Sequence, residues 1–198
     1  DANTLIIDST YGDGVHEDKN ERKLKLERII ERAAAEKGVL LIPAFSLERT
    51  QEIIFELNDL VEKKRVLALP VFIDSPLAIK LTSIYKKYEN YFNKETKYVI
   101  NSGDDIFNFP NLKFCLTTGE SKEINDIPPP KIIIAGSGMM QGGRILHHAK
   151  KYLGGKENTI LFIGFQAAGS LGRKIKEGEK RVRIFDETAE VKARIEEI

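Results

Sequence analysis

Short apolar runs alternate with amphipathic stretches along the chain. The continuous apolar runs predict strands buried on both faces, at Val39–Ile42, Val71–Ile73, Ile132–Ala135 and Thr159–Ile163. Between these runs, apolar residues return every three or four positions, which predicts helices that pack one face against a sheet. The alternation predicts an α/β fold with a mainly parallel sheet and helices on both faces, three-layered and doubly wound, of the Rossmann or flavodoxin type.

Other segments give weaker patterns. Three further strands are predicted, at Thr4–Ile7, Leu112–Leu116 and Val182–Phe185. Residues 93–111 and 117–131 are rich in polar residues and turn formers, which predicts irregular connectors. The last segment, Glu187–Ile198, fits either a helix or a partial strand.

In open parallel sheets, the loops that follow the strands meet at the carboxyl edge, and ligands bind there. We call this edge the rim. Five loops are predicted to lie on it, at residues 8–16, 43–46, 74–76, 136–143 and 164–170. All five are rich in Gly, Ser, Thr, Asp or Pro, a composition that suits a polar, anionic ligand.

The loop at 136–143 is the richest in glycine, with Gly136, Gly138, Gly142 and Gly143 between a predicted strand and a predicted helix. Glycine lets a ligand approach the backbone, and the helix would direct free N–H groups at a phosphate. The spacing differs from the dinucleotide fingerprint, and no Gly-Lys-Ser/Thr follows, so neither nucleotide motif is present. The alternative interpretation is a tight turn that binds no ligand.

Helix starts on the rim supply further candidates. Ser46 and Ser75 are predicted N-caps, the latter followed by Pro76 at the first helical position. Arg49 and Arg144 fall in first turns, where each would either bind a phosphate or lie on a solvated helix face.

Two residues of the first loop leave alternatives open. Asp8 follows a predicted strand, where it is either a functional carboxylate or a turn cap. Tyr11 would either stack on a base or sugar or pack against the sheet.

Charge and cysteine content restrict the possible functions. The net charge of the chain is +1, so a nucleic-acid surface must be a local patch. Cys115 is the only cysteine, which excludes an internal disulfide and favours a reducing, cytoplasmic location. No apolar run reaches membrane-spanning length, so we expect no membrane partner. His147 and His148 diverge by about 100° on a helix and are expected to be one packed and one exposed residue rather than a metal pair.

Five ordered blocks stand out along the chain, at residues 5–16, 38–52, 74–78, 136–148 and 164–172. Together they resemble the β-CASP group of metallo-β-lactamase nucleases, the type that processes RNA 3′ ends and includes proteins similar to the cleavage and polyadenylation specificity factor.

The resemblance implies a two-domain enzyme in which a metallo-β-lactamase domain holds two zinc ions and a β-CASP domain covers them, with RNA in the cleft. Residues 1–15 would join the metallo-β-lactamase domain to this chain, and residues 16–180 would form the β-CASP domain. Residues 181–198 would lead the chain back toward the metallo-β-lactamase domain. Asp8, and with it His16, would lie beside the metal centre. The zinc ligands would lie outside this chain, and a homodimer is expected for the parent protein.

The resemblance also implies which residues contact RNA or its phosphates. They are Ser9, Thr10, Tyr11, Ser46, Arg49, Ser75, Ser137, Gly138, Gln141, Gly142, Gly143, Arg144 and Ser170. Three functions stay open at this point. The chain is the RNA-gripping part of a zinc-dependent endonuclease, with or without exonuclease activity, and is inactive alone; or it is an RNA-binding scaffold whose host domain has lost its metal; or it belongs to a nucleotide-using enzyme.

Overall fold

A computed structural model describes residues 2–12, 14–15 and 17–198. The strands are β1 (Val39–Pro43), β2 (Val71–Asp74), β3 (Leu112–Phe114), β4 (Lys131–Ala135), β5 (Thr159–Phe162), β6 (Arg181–Ile184), β7 (Glu187–Glu190) and β8 (Arg194–Glu197). The α-helices are α1 (Lys19–Ala35), α2 (Arg49–Glu62), α3 (Pro76–Lys87), α4 (Lys94–Asn101), α5 (Thr118–Glu123), α6 (Ile145–Tyr152) and α7 (Leu171–Lys176). No helix within these described ranges combines the length and apolarity needed to cross a bilayer.

Six strands form one sheet in the order β3-β2-β4-β1-β5-β8, and every neighbouring pair is parallel. Side chains alternate between its two faces, so Leu40 and Ile42 join one apolar cluster while Val39 and Leu41 join the other. Helices α1, α2 and α3 cover the first cluster, and α6 and α7 cover the second. The predicted three-layer, parallel α/β fold is confirmed.

The strand predicted at Thr4–Ile7 is wrong. Residues 4–9 have no regular secondary structure, and Leu5, Ile6 and Ile7 are exposed. An apolar run becomes a strand only where a neighbour satisfies its backbone N–H and C=O groups. None of the strand pairings of the described residues includes this segment.

The carboxyl-terminal segment is built of strands, so the helical alternative for Glu187–Ile198 is wrong. β6 and β7 form a separate antiparallel hairpin, and β8 adds to the main sheet beside β5. The backbone N–H groups of Lys192 and Ala193 donate to the Leu153 carbonyl and direct the chain back to the sheet edge. That long-range anchor overrides the helical preference of the charged sequence.

The two predicted irregular connectors each contain a helix. α4 lies within 93–111 and begins at its N-cap Asn93, whose side chain accepts from the Thr96 N–H group. α5 lies within 117–131 and is capped by Thr117. Both helices are short and polar, so the spacing of apolar residues hardly indicates them. The capping residues at their starts are the stronger sequence signal.

Candidate functional site

Because the strands are parallel, the loops after β1, β2, β4 and β5 emerge at the same edge. Four of the five predicted rim loops therefore lie there, and contacts join them. The Ala44 N–H group donates to the Ala135 carbonyl at 3.0 Å. Gln166 donates from its Nε2 to the Gly138 carbonyl at 2.8 Å. The fifth loop, 8–16, follows no strand in the structure.

Two serine hydroxyls and one glycine form a small hollow on the rim. The Ser46 and Ser75 Oγ atoms are 3.2 Å apart. A Cβ atom placed on Gly136 would lie 3.5 Å from the Ser75 Oγ and 3.8 Å from the Ser46 Oγ, which is ordinary contact distance. The missing side chain therefore leaves room for an atom of a ligand next to two hydroxyl groups and the Ala44 carbonyl oxygen. We call this space the serine hollow.

The two serines have different roles in the helices that follow. Ser75 is the N-cap of α3, with its Oγ accepting from the Ala78 N–H group and Pro76 at the first helical position, as predicted. The prediction that Ser46 caps α2 is wrong, since that helix begins at Arg49 after Glu48, which has a φ of 68° and no side-chain cap. Two extra turn residues leave the Ser46 hydroxyl free to meet Ser75.

The glycine-rich loop is folded tightly on itself. The Ser137 N–H group donates to the Gly142 carbonyl, and the Ile145 N–H group donates to the Gly136 carbonyl at 2.9 Å. Gly143 has a φ of 77°, and a Cβ there would lie 2.4 Å from the Gly136 carbonyl oxygen. These contacts define the loop independently of any ligand, so they support the tight turn and leave phosphate binding as a prediction.

Two other predicted residues of this loop lie at the edge of the turn. Gly138 is buried against the exposed Phe45 ring, which would have to shift to admit a side chain. Gln141 is exposed, and its backbone N–H donates to the Ser137 Oγ at 3.1 Å.

A buried carboxylate organises the other side of the rim. Asp74, at the end of β2, is fully buried and accepts hydrogen bonds at 2.7 Å from Arg144 Nη1 and at 2.6 Å from Ser121 Oγ. Its Oδ2 also lies 2.7 Å from His148 Nε2. These residues come from β2, α5 and the start of α6, so the carboxylate joins three elements. We call Asp74, Ser121, Arg144 and His148 the Asp74 cluster.

The electrostatics of the Asp74 cluster favour an ionised carboxylate. Burial alone would raise the pKa of Asp74, but hydrogen bonds from His148, Ser121 and Arg144 outweigh it and lower the pKa below its ordinary value. Arg144 also donates to the Cys115 and Leu116 carbonyls. The guanidinium predicted to bind phosphate thus has three partners within the chain, and its phosphate contact stays a prediction.

Ser121 reaches Asp74 because α5 has a strong N-cap. Thr117 Oγ1 accepts from the Glu120 N–H group, and the Glu120 carboxylate accepts from the Thr117 N–H at 2.7 Å. We expect Thr117→Ala to lower the free energy of unfolding by about 1 kcal/mol. Urea unfolding measures this, with Thr118→Ala as the matched control because the exposed Thr118 makes no side-chain hydrogen bond among the described residues. Equal stability of the two variants would contradict the role of the cap.

The segment before α1 reaches the rim through one aromatic residue. The Phe165 N–H group donates to the Tyr11 hydroxyl at 3.0 Å, and the two rings meet edge to face. Asp8 is exposed and accepts from the Thr10 hydroxyl and N–H, and these bonds, the hydroxyl's first, lower its pKa. Asp8 is therefore the cap of a turn in this structure. Ser9 is exposed in the same turn. His16 lies outside the described residues.

The remaining predicted residues lie further along the rim. Arg49 pairs with Glu52 at 2.8 Å and lines a groove of about 610 Å³ with Tyr11 and Arg173. Ser170 is buried and uses its Oγ to accept from the Arg173 N–H as N-cap of α7. Ser170 thus supports the loop rather than presenting a hydroxyl at the surface of the rim.

The Asp74 cluster as a unit is not predicted by any pattern in the sequence. Asp74 follows a buried strand directly, which was the available signal for a carboxylate on the rim. One of the two adjacent histidines was predicted to be packed and the other exposed, and in the structure His148 is the buried one and His147 the exposed one. That His148 packs against Asp74 depends on a contact across 74 residues of chain.

The described residues do not form a zinc site. No group of three or more histidine, cysteine or acidic side chains within them could hold a metal ion. Burial, followed by the charges of Asp74 and Glu120, raises the pKa of Cys115 to about 11, so its thiol stays protonated at neutral pH. No chemical step through a metal can be derived from these residues.

The fold and the rim together define a doubly wound α/β domain with a polar site at the carboxyl ends of its strands. A model of the Beta-Casp domain matches residues 50–175. The chain belongs to the β-CASP family, and the resemblance found in the sequence is confirmed.

Several proteins of named activity are similar over nearly the whole chain. Ribonuclease TTHA0252 of Thermus thermophilus is 34% identical over 98% of this chain and 44% of its own length. Transcription termination factor FttA of Methanocaldococcus jannaschii is 32% identical over 96% of this chain and 30% of its own length. An RNase J-like protein of the same organism is 31% identical over 100% of this chain and 45% of its own length. The chain thus spans less than half the length of these relatives.

Proposed function

We propose that this chain is the RNA-gripping β-CASP portion of a zinc-dependent ribonuclease that hydrolyses phosphodiester bonds. The parent enzyme would cleave internally, with or without exonuclease activity, and its zinc ligands would lie in a metallo-β-lactamase domain outside this chain. The ribonuclease and RNase J-like names of similar proteins support this function.

The observation that carries the proposal is the serine hollow. Hydroxyl groups donate to phosphate oxygens and fix the register of a bound strand. The Ser46 and Ser75 hydroxyls hydrogen-bond to each other at 3.2 Å, so the one that accepts in this pair keeps its proton for a ligand. The missing side chain of Gly136 leaves space for a ligand atom beside them. A phosphate oxygen of the RNA would occupy this space, and the chain would orient the phosphodiester.

The side chains available as metal ligands decide which part of the reaction we assign to this chain. The described residues lack a metal-binding cluster, so we assign binding and orientation to them and cleavage to the complete protein. We expect the 198-residue chain to leave labelled RNA intact in the presence of zinc. Cleavage of RNA by the chain alone, or tight stoichiometric zinc binding measured by titration calorimetry, would contradict this part of the proposal.

The test of the serine hollow is a pair of substitutions in the complete protein. We expect Ser46→Ala together with Ser75→Ala to weaken RNA binding about tenfold, because a hydrogen bond from a hydroxyl to a charged phosphate contributes about 1.5 kcal/mol. Fluorescence anisotropy with labelled RNA measures the Kd. Ser83→Ala is the control, since Ser83 is exposed on α3 and its hydroxyl donates only to the Lys80 carbonyl among the described residues. Unchanged RNA affinity in the double variant would refute the role of the serine hollow.

A second candidate function is RNA binding without cleavage. One of the similar proteins is named a transcription termination factor, a name that states a role in transcription and no nuclease activity. The test of this second function is an RNA cleavage assay on the complete protein with and without zinc. RNA that is bound but stays intact under both conditions would establish the scaffold function, and zinc-dependent products would exclude it.

A further inference from the structure

One exposed face of α3 combines apolar, aromatic and basic side chains. Leu77, Lys80, Ile84 and Tyr88 are spaced three or four residues apart and are all exposed, so they form a continuous stripe along the helix. Tyr91 follows in the next turn and is 79% exposed. We call these five residues the tyrosine stripe.

The tyrosine stripe begins at the rim and leads away from it. Leu77 is two residues after Ser75 of the serine hollow, whereas Tyr88 ends the helix. The 12 residues of α3 span about 18 Å at 1.5 Å per residue. An RNA strand bound at the serine hollow could therefore continue along this helix.

The two tyrosines at the far end form an open aromatic platform. Their ring centroids are 6.1 Å apart and the rings are tilted by 57°. Tyr88 is 49% exposed, and the Lys87 ammonium lies 5.8 Å from the centre of its ring. Exposed tyrosines that pack against lysines are typical of surfaces on which unpaired bases stack.

The charge around the tyrosine stripe favours a polyanion. The segment from Pro76 to Asn101 carries five lysines and two glutamates, although the whole chain has a net charge of only +1. Lys86 pairs with Asp105, and Glu95 with Lys19. Among the described residues, the other lysines of this segment make no ion pair, and their charges remain available to phosphates. They are Lys80, Lys87, Lys94 and Lys97.

We propose that the tyrosine stripe binds single-stranded RNA on its way to or from the rim, with bases stacked on Tyr88 and Tyr91 and phosphates beside Lys80 and Lys87. This inference rests on the proposed function, because it extends the RNA bound at the serine hollow. Stacking on aromatic rings tolerates any base, so the tyrosine stripe would add affinity and a length requirement without sequence preference.

The test compares two RNA lengths in the complete protein. An RNA of about 4 nucleotides would occupy the rim alone, whereas one of about 16 nucleotides would also reach the tyrosines. We expect Tyr88→Ala with Tyr91→Ala to raise the Kd for the longer RNA by about 100-fold, tenfold for each ring, and to leave the shorter RNA unaffected. Tyr88→Phe with Tyr91→Phe, which keeps both rings, is expected to retain wild-type affinity.

Phe185→Ala is the matched control, since Phe185 is 48% exposed on the β6–β7 hairpin and lies outside the tyrosine stripe. Lys80→Gln is expected to reduce the slope of log K against log salt by about 0.7 for the longer RNA.

The outcomes separate this inference from the proposed function. Wild-type protein that binds neither RNA would overturn both. Wild-type protein that binds both lengths, with the double alanine variant unchanged on the longer one, would overturn the tyrosine stripe alone. An equal loss on both lengths, or a change of oligomeric state in light scattering with RNA affinity retained, would also overturn it, since the stripe would then support the rim or meet a second copy of the chain.

Discussion

Replacing Gly143 by alanine is expected to lower the free energy of unfolding by about 2 to 4 kcal/mol and to abolish tight RNA binding. Gly143 has a φ of 77°, which strains any residue with a side chain, and a Cβ there would lie 2.4 Å from the Gly136 carbonyl oxygen. The contact is with backbone, so no rotamer change can relieve it. The loop must open, and Gly136 would then move away from the serine hollow.

Gly142→Ala is the matched control for this prediction. It is the neighbouring residue of the same loop, and a Cβ there would have no atom within 4 Å. We expect Gly142→Ala to change the free energy of unfolding by less than about 0.5 kcal/mol, as for an unconstrained surface position. Urea unfolding compares the stability of the two variants, and RNA anisotropy measures the loss of binding in Gly143→Ala. Similar losses for both glycines would show that the loop does not depend on the close approach at Gly143.

Replacing Asp74 by asparagine is expected to cost about 3 kcal/mol of unfolding free energy. The substitution keeps the shape of the side chain but removes the charge that faces Arg144 and His148. In the wild type, Oδ2 accepts from both Ser121 and His148 and Oδ1 accepts from Arg144. Asparagine has only one acceptor oxygen, so it can accept either from Ser121 and His148 or from Arg144, but not from all three. Removing one partner of a buried, hydrogen-bonded group costs more than the net value of the interaction.

The same carboxylate makes the stability depend on pH in a defined direction. Because the folded pKa of Asp74 is lowered from 3.8, the unfolded state binds the proton first as the pH falls. The stabilisation by Asp74 is therefore complete above its unfolded pKa and is lost as the pH falls through the lower folded value. We expect the stability of Asp74→Asn to fall less steeply on acidification than that of the wild type.

The control for Asp74 is an exposed ion pair of similar length. Glu187 accepts from Lys150 at 2.7 Å on the surface. We expect Glu187→Gln to change the unfolding free energy by less than about 0.5 kcal/mol and to leave the acid dependence of the wild type intact. Thermal or urea unfolding between pH 3 and 7 compares the three proteins. An Asp74→Asn variant as stable and as acid-sensitive as the wild type would refute the organising role of this carboxylate.

Local sequence patterns suffice to predict those elements whose formation depends on neighbouring residues. The four continuously apolar strands and the Ser75–Pro76 helix start depend on neighbouring residues, and each was predicted correctly, whereas α4 and α5 were missed. The prediction that Ser46 caps α2 is wrong, and the reason is also local. Two additional turn residues before Arg49 were not visible in the spacing, and Glu48 adopts a positive φ that no sequence pattern indicated.

By itself, the sequence determined the class of fold, the chemistry of the rim loops and the family, because strand and helix periodicity and ordered motifs are properties of short stretches. Only the tertiary structure decided the strand order β3-β2-β4-β1-β5-β8, the place of β8 at the sheet edge, the pairing of Ser46 with Ser75 and the Asp74 cluster. These contacts join residues up to 119 positions apart, as where β1 meets β5. Which side chains meet over such separations depends on how whole helices and strands pack, and no local spacing encodes that choice.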